Sequence, residues 1–104
     1  MSQSEAKKII QQFAIELKER NFDFSSIFLF GSQSKGNSHK FSDIDVAVIS
    51  KKMNKNYEKN LDKLNKIGSK VNNKLEIHAF TPTDFKNGYC PLAYEVKLTG
   101  IKIV

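Results

Sequence analysis

The chain has 104 residues, a formal net charge of +6, 39% hydrophobic residues and one cysteine. That length predicts one domain over residues 1–104, burying about 60–70% of the surface its unfolded form exposes and leaving no room for a second core. No apolar stretch approaches the ~20 residues that span a bilayer, the segment Met1-Ser2-Gln3-Ser4-Glu5 lacks the regions of a signal peptide, and a lone cysteine cannot close an internal disulfide; a cytoplasmic protein without a membrane anchor is expected. The positive charge suits an anionic partner, but Arg20 is the only arginine, so the planar fork that reads phosphates and base edges is nearly absent and direct nucleic-acid binding is not expected.

Taken in order, Ala6, Ile9, Ile10, Phe13, Ala14 and Leu17 recur at helical spacing and predict an amphipathic helix over residues 3–20, with Ser2 and Glu5 spaced as a capping box. Phe22 and Phe24 alternate with polar residues in the connection that follows and are expected to be packing anchors. Ile27-Phe28-Leu29-Phe30 has no alternation, which suits a short strand buried on both faces. Gly31 at its end lets the backbone turn tightly toward a ligand, and the Ser32 hydroxyl with nearby N–H groups can hold phosphate oxygens. The polar loop 33–41 offers Lys35 or Lys40 to a nucleotide, or serves only as a solvated connection. His39, alone in that loop, is a poor metal candidate.

Ser42-Asp43-Ile44-Asp45 opens a second strand, 44–49, β-branched and apolar after its first residues. Side chains alternate along a strand, so Asp43 and Asp45 share a face with Cα atoms ~6.5 Å apart. Two like charges ~4 Å apart repel by about 4 kcal/mol at an effective dielectric of ~20, and burial adds a desolvation cost. A hard cation removes both penalties, since Mg²⁺ takes one or two carboxylates together with phosphate oxygens.

Beyond a polar linker, 50–54, a second helix is predicted over 56–73, with Tyr57, Leu61, Leu64, Ile67, Gly68 and Val71 on one side and a stripe of lysines, Lys55 to Lys74, on the other. The stripe reads as a solvated face, with docking of RNA or an acidic partner as the sharper alternative. Residues 75–80 alternate, Leu75, Ile77 and Ala79 against Glu76, His78 and Phe80. A strand, a crossover helix and a strand make a parallel unit, which puts the starts of the second and third strands at one end of the sheet. The first strand must then run antiparallel to deliver Gly31-Ser32 to Asp43, Asp45 and Glu76, with His78 a polar neighbour rather than a base. Thr81-Pro82-Thr83-Asp84 starts a short helix that Asn87-Gly88 ends, and Pro91 opens a last helix through Leu98 with Gly100 as its cap. Cys90 is expected to be a buried or half-buried thiol, Tyr89 and Tyr94 core or rim aromatics, and residues 101–104 an edge strand. These elements define an α+β fold, a small mixed β-sheet with flanking helices.

The run Gly31-Ser32, Gly36 and Ser42-Asp43-Ile44-Asp45-Val46 resembles the signature of the DNA polymerase β nucleotidyltransferase superfamily, in particular its minimal nucleotidyltransferase branch, and the likeness extends over most of the chain. Gln33, Ser34 and Glu76 stand where many members have arginine, alanine and aspartate. The resemblance implies a polymerase β-like fold and transfer of a nucleoside monophosphate from ATP or another NTP to a hydroxyl. It implies two Mg²⁺ ions on Asp43 and Asp45, Glu76 as the third carboxylate and metal ligand, and a nucleotide site of Gly31, Ser32, Lys35 and Ser42. It also implies a role for the chain as an antitoxin that adenylylates a tyrosine of its partner, a helical HEPN-type ribonuclease toxin; self-association is a separate arrangement that the sequence leaves open. Transfer to a small molecule such as an aminoglycoside and a noncatalytic module that neutralises its partner by contact are the two other readings.

Overall fold

In the computed structural model, which describes residues 2–31, 43–88 and 90–104, the first helix, α1 (Gln3–Glu19), starts where the Ser2 Oγ accepts the Glu5 N–H at 3.1 Å. This satisfies one of the donors that a helix leaves open at its N-terminus. Its apolar stripe, Ala6, Ile10, Phe13, Ala14 and Leu17, is buried. Each large side chain among them contributes about 1.5–3 kcal/mol by leaving water. Phe22 and Phe24 pack against the same core, as their alternation suggested.

Strands β1 (Ser26–Phe30), β2 (Ile44–Ile49) and β3 (Leu75–Phe80) and the two-residue β4 (Ile101–Lys102) form one mixed sheet in the order β3-β2-β1-β4. β1 runs antiparallel to β2, and β3 parallel to it across the crossover helix α2 (Tyr57–Val71). The alternation of β2 and β3 sorts their side chains onto two faces. Ile44, Val46, Val48, Ile77 and Ala79 join α1 and α2 in the larger core, with Phe13, Leu17 and Leu64 fully buried there. Ala47, Ile49 and Phe80 form a smaller core with Phe30, Ala93 and Val96, closed by α3 (Pro82–Asn87) and α4 (Pro91–Thr99). Beyond β4 the chain stays against β1, where Ile103 N–H donates to Ile27 O at 2.8 Å and Ile27 N–H to Val104 O at 3.2 Å. Among the described residues no helix is long and apolar enough to cross a membrane.

Two expectations change. Residues 50–54 are not a plain linker: Ser50 is fully buried and starts a 3₁₀ helix, Lys51–Asn54, on which Met53 packs inward. The Ser50 Oγ donates to Asp23 O at 2.6 Å and accepts the Lys52 N–H at 3.1 Å, so a polar sequence folds inward by satisfying its own hydrogen bonds. Cys90 is exposed rather than buried. It is the N-cap of α4, extended at φ −74° and ψ 126° as the residue before Pro91 must be, and the helix end it occupies faces outward. Tyr57 keeps its predicted side of α2 but is 40% exposed, donating its hydroxyl to Ala79 O at 2.7 Å on the outer edge of β3. Tyr94 lies at the surface, and Tyr89 falls outside the described residues.

Candidate active site

The ladder places the site. Phe30 pairs with Asp45 across β1–β2, and Asp45 with Glu76 across β2–β3, so one row of the sheet reads Phe30, Asp45, Glu76 at the end where β1 finishes and β2 and β3 begin. Odd positions of β2 and even positions of β3 point to the face that carries the smaller core. The carboxylates of Asp45 and Glu76 therefore project side by side from that face. His78 follows Glu76 by two residues and projects with it. Its Nε2 stands 3.6 Å from Asp45 Oδ1 and 3.8 Å from Glu76 Oε1. The Phe30 ring and the imidazole meet in a T-shaped arrangement, centroids 5.2 Å apart at 66°.

One ligand atom each from Asp45, Glu76 and His78 lie within 4.8 Å of one another. Asp43, just before β2, is exposed and close enough for its charge to act on Glu76. Loss of hydration holds the Glu76 carboxyl above the usual carboxylate range. The Asp45 carboxylate adds to that push by its charge and by a shared hydrogen bond, Asp43 adds further, and His78 opposes it. The Glu76 side chain is 54% exposed. Hydration loss is therefore incomplete, and the adjacent carboxylates are the more telling cause. Carboxylates converging at adjacent strand starts repel until a cation or a proton sits between them. This donor set fits a hard divalent ion.

Gly31 closes the site from the β1 side. Its φ of +75° lies in the left-handed region. A methyl group there would overlap Asp45 Oδ2 and stand 3.1 Å from Asp45 Cγ and 3.3 Å from its Cβ. The bare backbone thus passes directly beside the acidic pair. Of the residues singled out in the sequence, the fold brings Gly31, Asp45 and Glu76 together, with Asp43 at their margin, while Ser32, Lys35 and Ser42 fall outside the described residues. His78, expected only as a polar neighbour, joins this group, and its two-residue spacing from Glu76 on one strand is the signal for it.

A cleft of about 260 Å³ opens beside His78, bordered by Tyr57, Leu61, Ile77, Phe80 and Leu92. A basic depression of about 270 Å³, lined by Arg20, Lys52, Lys63, Lys66 and Lys70, lies on the α1–α2 side, away from the carboxylates. On that side Asp62 pairs with Lys66 at 3.0 Å in solvent, as expected of a solvated helix face.

A mixed sheet gathers a glycine turn and strand-start carboxylates at one end, as the resemblance to nucleotidyltransferases implies. The chain belongs to the nucleotidyltransferase domain family, whose model matches residues 10–99. Several solved structures share the fold. A toxin–antitoxin structure with AMP-PNP superposes with a TM-score of 0.65 at 23% identity, over 94% of this chain and 72% of the other. A protein of Sulfolobus solfataricus described as a nucleotidyltransferase gives 0.61 at 16% identity, over 82% of this chain and 75% of the other. No curated protein matches the chain.

Proposed function

We propose that the chain, as one nucleotidyltransferase domain, transfers AMP from ATP to a hydroxyl acceptor and releases pyrophosphate. The acceptor is a tyrosine of a partner protein, a HEPN-type ribonuclease toxin that the modification silences. The observation that carries the reading is the register that sets Asp45 beside Glu76 at the sheet end where Gly31 turns. Asp43, Asp45 and Glu76 are the residues that would hold two Mg²⁺ ions. Bound there, the ions supply charge neutralisation for the attacking and leaving oxygens at the α-phosphorus.

The chain's own groups do the rest. Gly31 lets backbone N–H groups approach the triphosphate without a side chain in the way, and Ser32, Lys35 and Ser42 take its non-bridging oxygens. The acceptor oxygen bonds to the α-phosphorus, the bond to the pyrophosphate oxygen breaks, and the hydroxyl proton passes to a Glu76 carboxylate oxygen. The likeness of fold to a toxin–antitoxin structure with AMP-PNP supports both the donor and the setting.

Co-expression with the product of the adjacent gene tests the reading. The intact mass of that partner rises by one AMP with the native chain and stays unmodified with Asp43→Ala/Asp45→Ala. A stable complex whose partner mass never changes contradicts the proposal and makes the chain a module that neutralises by contact.

A further inference from the structure

We propose that His78 is a direct ligand in this centre, making it a mixed nitrogen–oxygen site that takes a divalent transition ion such as Mn²⁺ in preference to Mg²⁺. The inference rests on the metal-dependent reading above and adds to it a residue and a metal preference.

Three observations carry it. The first is reach: Nε2 lies 3.6 Å from Asp45 Oδ1 and 3.8 Å from Glu76 Oε1, both less than the ~4.2 Å spanned by two bonds of ~2.1 Å to a common ion. Both separations are also too long for hydrogen bonds, so no such bond between the nitrogen and either carboxylate must break when an ion binds. The second is placement. His78 sits on a strand paired along its length with β2, its ring is half-buried, and the Phe30 ring packs against it, so little conformational freedom is lost when it binds. The third is the surroundings: Nε2 faces Asp45 and Glu76 together, the two acids that the register sets side by side.

Chemistry then sets the preference. Mg²⁺ favours a shell of oxygens and gains little from a nitrogen donor, whereas affinity for the transition ions increases when imidazole joins carboxylates.

Pulsed EPR of the Mn²⁺-loaded protein tests this without reference to activity. Echo modulation from a directly bound ¹⁴N is expected in the native chain and is lost in His78→Gln. Titration of the free Mn²⁺ signal should show about tenfold weaker Mn²⁺ binding in His78→Gln, with the Mg²⁺ competition constant unchanged. Modulation that persists in His78→Gln belongs to the chain's other histidine, His39, and overturns the proposal. So does Mn²⁺ binding that Asp45→Asn abolishes but that shows no ¹⁴N modulation; in that case the metal site stands and only the histidine ligand falls. Mn²⁺ binding that is absent, or indifferent to Asp45→Asn, removes the metal site itself and the functional reading with it.

Discussion

Asp45 and Glu76 stand directly opposite each other on the parallel strands β2 and β3, and their carboxylates project from the same face of the sheet. The pairing is a consequence of register, since a shift of one residue would turn one of the two to the opposite face. In the metal-free protein it is a local conflict that the surrounding cores must offset.

That conflict sets a pH dependence. Glu76 binds its proton more tightly folded than unfolded, so its favourable contribution is complete below its ordinary value of 4.5 and is lost as pH rises through the raised value. Glu76→Gln removes the charge, so the metal-free variant should lose less stability than the native chain between pH 4.5 and pH 7. Because Glu76 is largely solvated, the gain at pH 7 should be no more than a few tenths of a kcal/mol. Thermal unfolding in chelator across that range checks this; a variant less stable than the native chain at pH 7 would show that the ionised Glu76 is held by net favourable contacts.

Gly31→Ala tests the close approach of the backbone to Asp45. A left-handed φ costs a non-glycine residue of order 1–3 kcal/mol, and the new methyl must push Asp45 aside. Divalent-ion binding should weaken at least tenfold, and nucleotidyl transfer should fall further, in a protein that still folds. Native-like ion binding in the variant would place Asp45 outside the ion site.

Ser50→Ala probes the support rather than the chemistry. Removing a fully buried hydroxyl leaves the Asp23 carbonyl and the Lys52 N–H short of a partner, at a cost of about 1–3 kcal/mol. Thermal unfolding should move down by several degrees while the transfer rate below the transition stays native. A large loss of rate with unchanged stability would mean that this turn reaches the site.

These residues also mark what the sequence could and could not reveal. The spans of β2 and β3, the parallel crossover and the antiparallel β1 were legible because β-branched runs, an amphipathic helix and alternation leave few topologies. That logic predicted Asp45 and Glu76 at one sheet end. The 3₁₀ turn after β2 was not legible, because Ser50-Lys51-Lys52-Met53-Asn54 has the composition of a solvated linker and its burial depends on partners at Asp23 and Phe80, far away in the chain. Cys90 was misread because general cysteine burial outweighed the local signal of Pro91 opening a helix at the surface. His78 was seen as a neighbour but not as part of the group, since its nearness to Asp45 depends on pairing between strands.

The most direct test of the central claim compares ATP labelled at the α-phosphate with ATP labelled at the γ-phosphate, incubated with the native chain, the proposed partner and Mg²⁺ or Mn²⁺. Nucleotidyl transfer predicts that the partner gains α-label and no γ-label, and that Asp45→Asn abolishes the gain. Label arriving from the γ-phosphate, or α-label transferred equally well by Asp45→Asn, would contradict the account.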